Sequence, residues 1–191
     1  MLDPLVLIFL TSGLFLGWAL GANDAGNVFG TAVGTKMVSW RTAAIICSIF
    51  VVLGAIVSGA GTSQTLGKLG AISALPGAFM TALSAAFAVY AMTKFGLPVS
   101  TSQAIVGAII GWNFFSNNPT DISTLTKILS TWIICPLLSG VIAIFLYQTI
   151  KFSAQRVHIH MIRADAYQRV ALIIAGALGA YSLGANNIAN V

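Results

Sequence analysis

Asp24 is the only ionisable side chain between residues 4 and 35, and it lies in the polar interruption Gly21-Ala22-Asn23-Asp24-Ala25-Gly26-Asn27 of an otherwise apolar run. A carboxylate at membrane depth costs about 2.5–3.5 kcal/mol on insertion scales, so it faces a partner, a cavity or an ion. Carboxylate, carboxamide and backbone carbonyl oxygens are the ligands that hard cations prefer. Asn23 and Asn27 fall at i and i+4 and share one face if the segment is helical. Glycines at 21, 26 and 30 each cost about 1 kcal/mol relative to alanine in a helix. The combination predicts a helix broken where oxygen ligands are needed. The competing reading is a helix-packing face of small residues around one hydrogen-bonded Asp.

A second constellation has the opposite preference. Ser100-Thr101-Ser102-Gln103 follows the breaker Gly96-Leu97-Pro98 and opens an apolar run. Ser and Thr are preferred N-caps, and a helix N-terminus presents backbone N–H groups with a positive dipole end. Hydroxyls, N–H groups and no fixed negative charge make an oxyanion cradle, although a plain helix cap would use only one of the three hydroxyls. An oxygen-rich cation site and an anion cradle in one chain predict cation-coupled anion transport. No nucleophile–base pair stands out. His158 and His160 share one polar loop far from Ser100, so a hydrolase is disfavoured, and no enzymatic activity or cofactor is expected.

These residues must be positioned by membrane-spanning helices. Of 191 residues 58% are hydrophobic and 7% charged, and the mean hydropathy is +0.94. A soluble domain carries roughly 25% charged residues, so the chain reads as an all-α, multi-pass integral membrane protein. The net charge of +5 is spread thinly between apolar runs, which is topogenic charge and not a nucleic-acid surface. Cys47 and Cys135 lie in apolar segments and are expected as buried, space-filling thiols.

Taken in order, the apolar runs cover 4–35, 43–61, 74–93, 104–115, 128–150 with Pro136 as a kink, and 170 onward. Residues 62–73 are expected as a loop. The basic segment 151–169 is expected as a cytoplasmic connection between a first repeat, 1–150, and the start of a second, 170–191. The repeat itself is visible: Gly184-Ala185-Asn186-Asn187-Ile188-Ala189-Asn190-Val191 matches residues 21–28 at five of eight positions, and Tyr181 takes the place of Trp18. Two homologous halves are the mark of many secondary transporters. If 74–115 forms a re-entrant hairpin with its tip near residues 98–102, the two copies become inverted. With the N-terminus outside, six basic residues (Lys36, Arg41, Lys151, Arg156, Arg163, Arg169) then face the cytoplasm and three (Lys68, Lys94, Lys127) face out. An arrangement in which every run crosses satisfies the same rule, so the Gly-Leu-Pro interruption, tolerated at depth where it lines a cavity, favours the hairpin.

Gly-Ala-Asn-Asp at 21–24 with Asn27 and Phe29-Gly30-Thr31, then 98–102 with Ile105-Val106-Gly107-Ala108, then 184–191, resemble in order the motifs of the inorganic phosphate transporter family. The resemblance implies an inverted-repeat symporter that moves phosphate with Na+ or H+ by alternating access, commonly as a homodimer. It implies that Asp24, Ser100, Thr101, Ser102, Gln103 and Asn187 bind phosphate. It implies that Asn23, Asp24, Asn27, Asn186, Asn187 and Asn190 serve the coupling cation. Asn187 stands where the family signature has Asp, and Gln103 where many members carry His. The loss of a carboxylate keeps a sulfate or other oxyanion permease as an alternative, beside an anion channel and a non-transporting membrane receptor. The chain stops inside the third motif, so further spans, on this or another polypeptide, are expected.

Overall fold

The computed structural model describes residues 4–70, 75–97, 99–156 and 160–187, and within them the structure is helical with no strand. Seven helices follow in order: α1 (Pro4–Gly34), α2 (Trp40–Ser58), α3 (Ala60–Leu69), α4 (Leu75–Lys94), α5 (Thr101–Phe115), α6 (Ile122–Arg156) and α7 (Met161–Asn187). Five of them (α1, α2, α4, α6 and α7) are long and apolar enough to cross a membrane. The chain is a multi-pass, all-helical membrane protein.

Helix α1 corrects the expected break. It runs unbroken through Gly21, Gly26 and Gly30 for 31 residues, about 46 Å. The reason is a balance of magnitudes. Three helical glycines cost about 3 kcal/mol together, whereas each backbone group left unpaired in an apolar medium costs several. The ladder is therefore kept, and the glycines serve as a smooth face. The expected loop at 62–73 is corrected in the same way over 62–69, where α3 continues from α2 after Gly59, whose N–H still donates to the Ala55 carbonyl at 3.2 Å; residues 71–73 lie outside the described residues. The basic 151–169 segment is also mostly helix, because α6 runs to Arg156 and α7 starts at Met161. Arg156 lies over the Phe152 ring and Arg169 pairs with Asp165 at i,i+4. Pro136 stays inside α6. Cys47 is buried as expected, but Cys135 is exposed.

Two cores share α1. Leu16 in its first half packs with Leu69, Ala85, Ala86, Ile105 and Ile109 of α3, α4 and α5. Phe29 and Ala32 in its second half pack with Val38, Ala43 and Cys47, and with Ala180 of α7. Asn23 and Asp24 lie on the stretch of α1 between these cores. Helices α1 and α4 run in the same direction, since Phe9 meets Phe79, Phe15 meets Phe87 and Trp18 meets Tyr90. The chain after α4 then turns at Gly96, whose φ of +69° is a left-handed conformation that glycine adopts freely. Ser100 caps α5, its Oγ accepting from the Gln103 N–H at 3.3 Å. The turn comes level with Asn23, while α1 continues about 15 Å further to Gly34.

Helices α2 and α7 cross backbone to backbone. A Cβ on Gly54 would overlap the Tyr181 carbonyl, and one on Gly184 would overlap that of Val51. The Ser58 and Tyr181 hydroxyls are hydrogen bonded at 2.6 Å. Helix α7 passes α1 in the opposite direction, with Gly176 against Phe29, Gly179 against Val28 and Asn187 against Asp24. Helix α6 is the outlier, exposed throughout 133–156.

Candidate functional site

Three helix segments meet around Asp24. Asn23 donates through Nδ2 to Asp24 Oδ1 at 2.8 Å and to the Val99 carbonyl at 2.8 Å. That pair of bonds ties α1 to the turn before α5. Thr101, 2% exposed, donates its hydroxyl to Asp24 Oδ2 at 3.3 Å. Asn187 Nδ2 donates to the same oxygen at 3.4 Å. Asn187 is itself 6% exposed and accepts from the Ser102 hydroxyl at 3.3 Å. A carboxylate against the first turn of a helix is also favoured by the helix dipole.

All of these donors are neutral. Among the described residues the one ion pair is Arg169–Asp165 at the helix surface, and no cation faces Asp24. The carboxylate's orientation is thus fixed from three sides by donors that bring no positive charge.

Beside it lies a cavity of about 410 Å³ walled by Asp24, Asn27, Ser100, Ser102, Asn186 and Asn187, among others. Of the residues the sequence singled out, Asp24, Asn27, Ser100, Thr101, Ser102, Asn186 and Asn187 are brought together there. Asn23 stands behind the wall as a strut. Gln103 instead lines an adjoining cavity of about 640 Å³, between α3, α5 and α6, which shares Ser100, Ser102 and Asn186 with the first. Asn190, Pro98 and His158 lie outside the described residues.

The three hydroxyls have separate tasks. Thr101 holds the carboxylate, Ser100 caps α5, and Ser102 reaches across to α7. Sequence reasoning missed the Val99 carbonyl and the walls of the larger cavity, Thr131, Trp132, Cys135 and Pro136. The Trp132-x-x-Cys135-Pro136 spacing, one helical face ahead of a proline, was the available signal.

An all-helical membrane fold with a neutrally bonded carboxylate at a helix junction defines the class: a polytopic membrane protein with a polar site where its helices meet. Residues 20–191 match the model of the phosphate transporter family, and the chain belongs to that family. The mouse sodium-dependent phosphate transporter 1 is 34% identical over 149 residues, covering 69% of this chain and 21% of the relative. A provisionally named phosphate permease of Pyrococcus furiosus is 30% identical over 166 residues, 78% of this chain and 39% of the relative. One from Haemophilus influenzae is 32% identical over 151 residues, 73% and 36%. The chain thus spans at most about two fifths of these relatives. A solved structure described as the sodium-dependent phosphate transporter superposes with a TM-score of 0.74, at 22% identity, over 94% of this chain and 55% of its own. That likeness concerns the fold.

Proposed function

We propose that this chain forms the first repeat and the opening of the second in a cation-coupled inorganic phosphate transporter working by alternating access. The observation that carries the reading is Asp24, a carboxylate held only by neutral donors beside a polar cavity. Two like charges about 5 Å apart repel by about 3 kcal/mol at an effective dielectric of 20, worth more than 100-fold in affinity. An anion therefore binds well beside Asp24 only once a cation has neutralised it. Coupling follows from that order. Asp24, Asn27, Asn186 and Asn187 supply the cation's oxygens, and Ser100, Ser102 and the first turn of α5 face the phosphate. Na+ is the preferred coupling ion, supported by the mouse relative's name; H+ is the alternative.

Two further arrangements support the transporter reading. The turn before α5 stops level with Asn23, well short of the end of α1, as a re-entrant hairpin would. Asp24 and Asn187 occupy the same position of the two repeat copies, on helices of opposite direction, and touch. A two-fold axis in the membrane plane brings equivalent positions together in this way. The site then lies where the two cores joined by α1 can rock against each other.

The test is uptake of phosphate into proteoliposomes holding the complete gene product, under an imposed Na+ gradient and then an H+ gradient. Uptake driven by either cation is expected and names the ion. Sulfate uptake without phosphate uptake would make the protein a sulfate permease, the reading that Asn187 in place of a second carboxylate favours. Flux that follows voltage without a cation gradient would make it a channel.

A further inference from the structure

The two cavities beside Ser100 and Ser102 point in opposite directions. Helix α5 runs back along α4, since Gly77 near the start of α4 lies against Trp112 near the end of α5. It therefore runs counter to α1, away from the level of Asn23. The larger cavity follows α5 from Ser100 to Val106, between Thr65 of α3 and Pro136, Trp132 and Ile128 of α6. Its far end lies toward the α5–α6 loop, where the Asp121 N–H donates to the Leu69 carbonyl. The smaller cavity follows α1 the other way, past Asp24 to Asn27 and Val28. The two meet at Ser100, Ser102 and Asn186.

The larger cavity suits water and an anion. Its 640 Å³ holds on the order of twenty water molecules at roughly 30 Å³ each. The Gln103 carboxamide and the Trp132 indole N–H belong to its wall. Both groups need hydrogen-bond partners at membrane depth, and water in the cavity supplies them. No Asp, Glu, Lys or Arg lines it, so an anion meets neither repulsion nor a trap on the way. Beyond its far end, α3 and α6 carry the exposed Lys68 and Lys127 against one acid among the described residues there, Asp121. The surplus of positive charge draws anions toward that end.

We infer that the larger cavity is the water-filled passage by which the oxyanion reaches Ser100 and Ser102 from the end of the α5–α6 loop. The inference rests on the transport reading proposed above and gives it a route. The Ser102–Asn187 hydrogen bond at 3.3 Å ties α5 to α7 where the cavities meet, so it is the contact that parts as the anion moves from one cavity to the other. Cys135, exposed and in the passage wall one turn from Thr131, is a native reporter of what fills it. A thiolate reacts where a thiol does not, and a thiol against lipid tails stays protonated. A charged thiol reagent therefore tells a wet wall from a lipid-facing one.

The experiment treats the complete gene product, in sealed membrane vesicles of both orientations, with the anionic, impermeant reagent sulfonatoethyl methanethiosulfonate. Modified cysteines are identified by mass spectrometry, with buried Cys47 as the internal comparison. The face on which the loop lies is set by an impermeant amine reagent at exposed Lys127. Cys135 is expected to react from that face, Cys47 is expected not to react, and phosphate with Na+ should slow the reaction of Cys135 several-fold. The reagent should abolish phosphate uptake by the wild type and leave Cys135→Ser at its own untreated rate. Should Cys135→Ser fail to accumulate, Cys135→Ala takes its place. A Cys135 left unmodified overturns the inference, as does reaction only from the opposite face, reaction without loss of uptake, or equal inhibition of the variant. Uptake by untreated vesicles, measured first, separates the two proposals. No cation-driven uptake overturns the transport reading, and uptake with an unmodified Cys135 overturns the passage alone.

Discussion

Asp24 and Asn187 stand 163 residues apart, occupy the same position in the two copies of one short repeat, and are hydrogen bonded to each other at 3.4 Å. One partner is an acid and the other its amide. The pair can therefore carry one negative charge at most, and has a built-in donor. Two carboxylates in this geometry would repel, and the second would need its own cation or proton.

Asp24→Asn removes the charge and keeps the shape. Cation-driven phosphate uptake is expected to fall to background, while membrane insertion and thermal stability stay near wild type. Uptake at wild-type level would refute the coupling role assigned to Asp24.

Asn187→Asp tests the pair from the other side. A second carboxylate demands more neutralising charge, so half-maximal uptake should need more Na+ and show a steeper Na+ dependence. An unchanged Na+ titration would mean that position 187 takes no part in the ion site.

Asn23→Ala leaves the Val99 carbonyl without its donor and loosens the turn before α5. Leaving a part-buried acceptor unpaired costs about 1–3 kcal/mol. The expected result is a lower melting temperature and faster proteolysis near residue 99, together with reduced uptake. A melting temperature equal to wild type would show that the strut is dispensable.

Gly54→Leu and Gly184→Leu place side chains on opposing backbone carbonyls, which cannot move aside as a flexible side chain can. Loss of folded protein is expected for both, since overpacking of this kind costs at least about 1–3 kcal/mol. Gly140→Leu, with open space around it on α6, is the control and should accumulate normally.

Asp121 caps α6 outside the membrane-spanning helices, accepting hydrogen bonds from the Thr124 hydroxyl and the Ser123 N–H. These bonds, the Thr124 one foremost, and the nearby Lys127 hold its pKa below the ordinary 3.8. A depressed folded-state pKa contributes stability that is present above 3.8 and is lost as pH falls through the folded value. Asp121→Ala should therefore lower the melting temperature at pH 7, and the gap should close in strong acid. Asp121→Asn keeps the cap without the charge, so it should lie between Asp121→Ala and wild type at pH 7 and meet wild type in strong acid. A gap independent of pH would refute the charge's role.

The membrane class, and the apolar runs that become the long helices, were legible in the amino-acid order. Hydropathy is a sum over neighbours, and rare polar residues in apolar runs are costly enough to be informative wherever they occur. Helix ends were less legible. Residues 62–69 and 151–156 are polar enough to read as loop, yet an existing helix extends by one hydrogen bond per residue once its nucleus is formed.

The glycines at 21, 26 and 30 show where local reasoning stops. Their composition is compatible with a broken helix and with a packing face, and propensity alone favours the break. Only the tertiary structure, by setting the cost of unpaired backbone in an apolar surrounding against about 1 kcal/mol per glycine, decided for a continuous α1. The sequence by itself determined which residues could hold charge. That Thr101 serves the carboxylate, that Gln103 faces a second cavity, and that Asp24 meets Asn187 were decided by the packing of three helices. Distances between residues 163 positions apart are set by how helices cross, and no local pattern carries them.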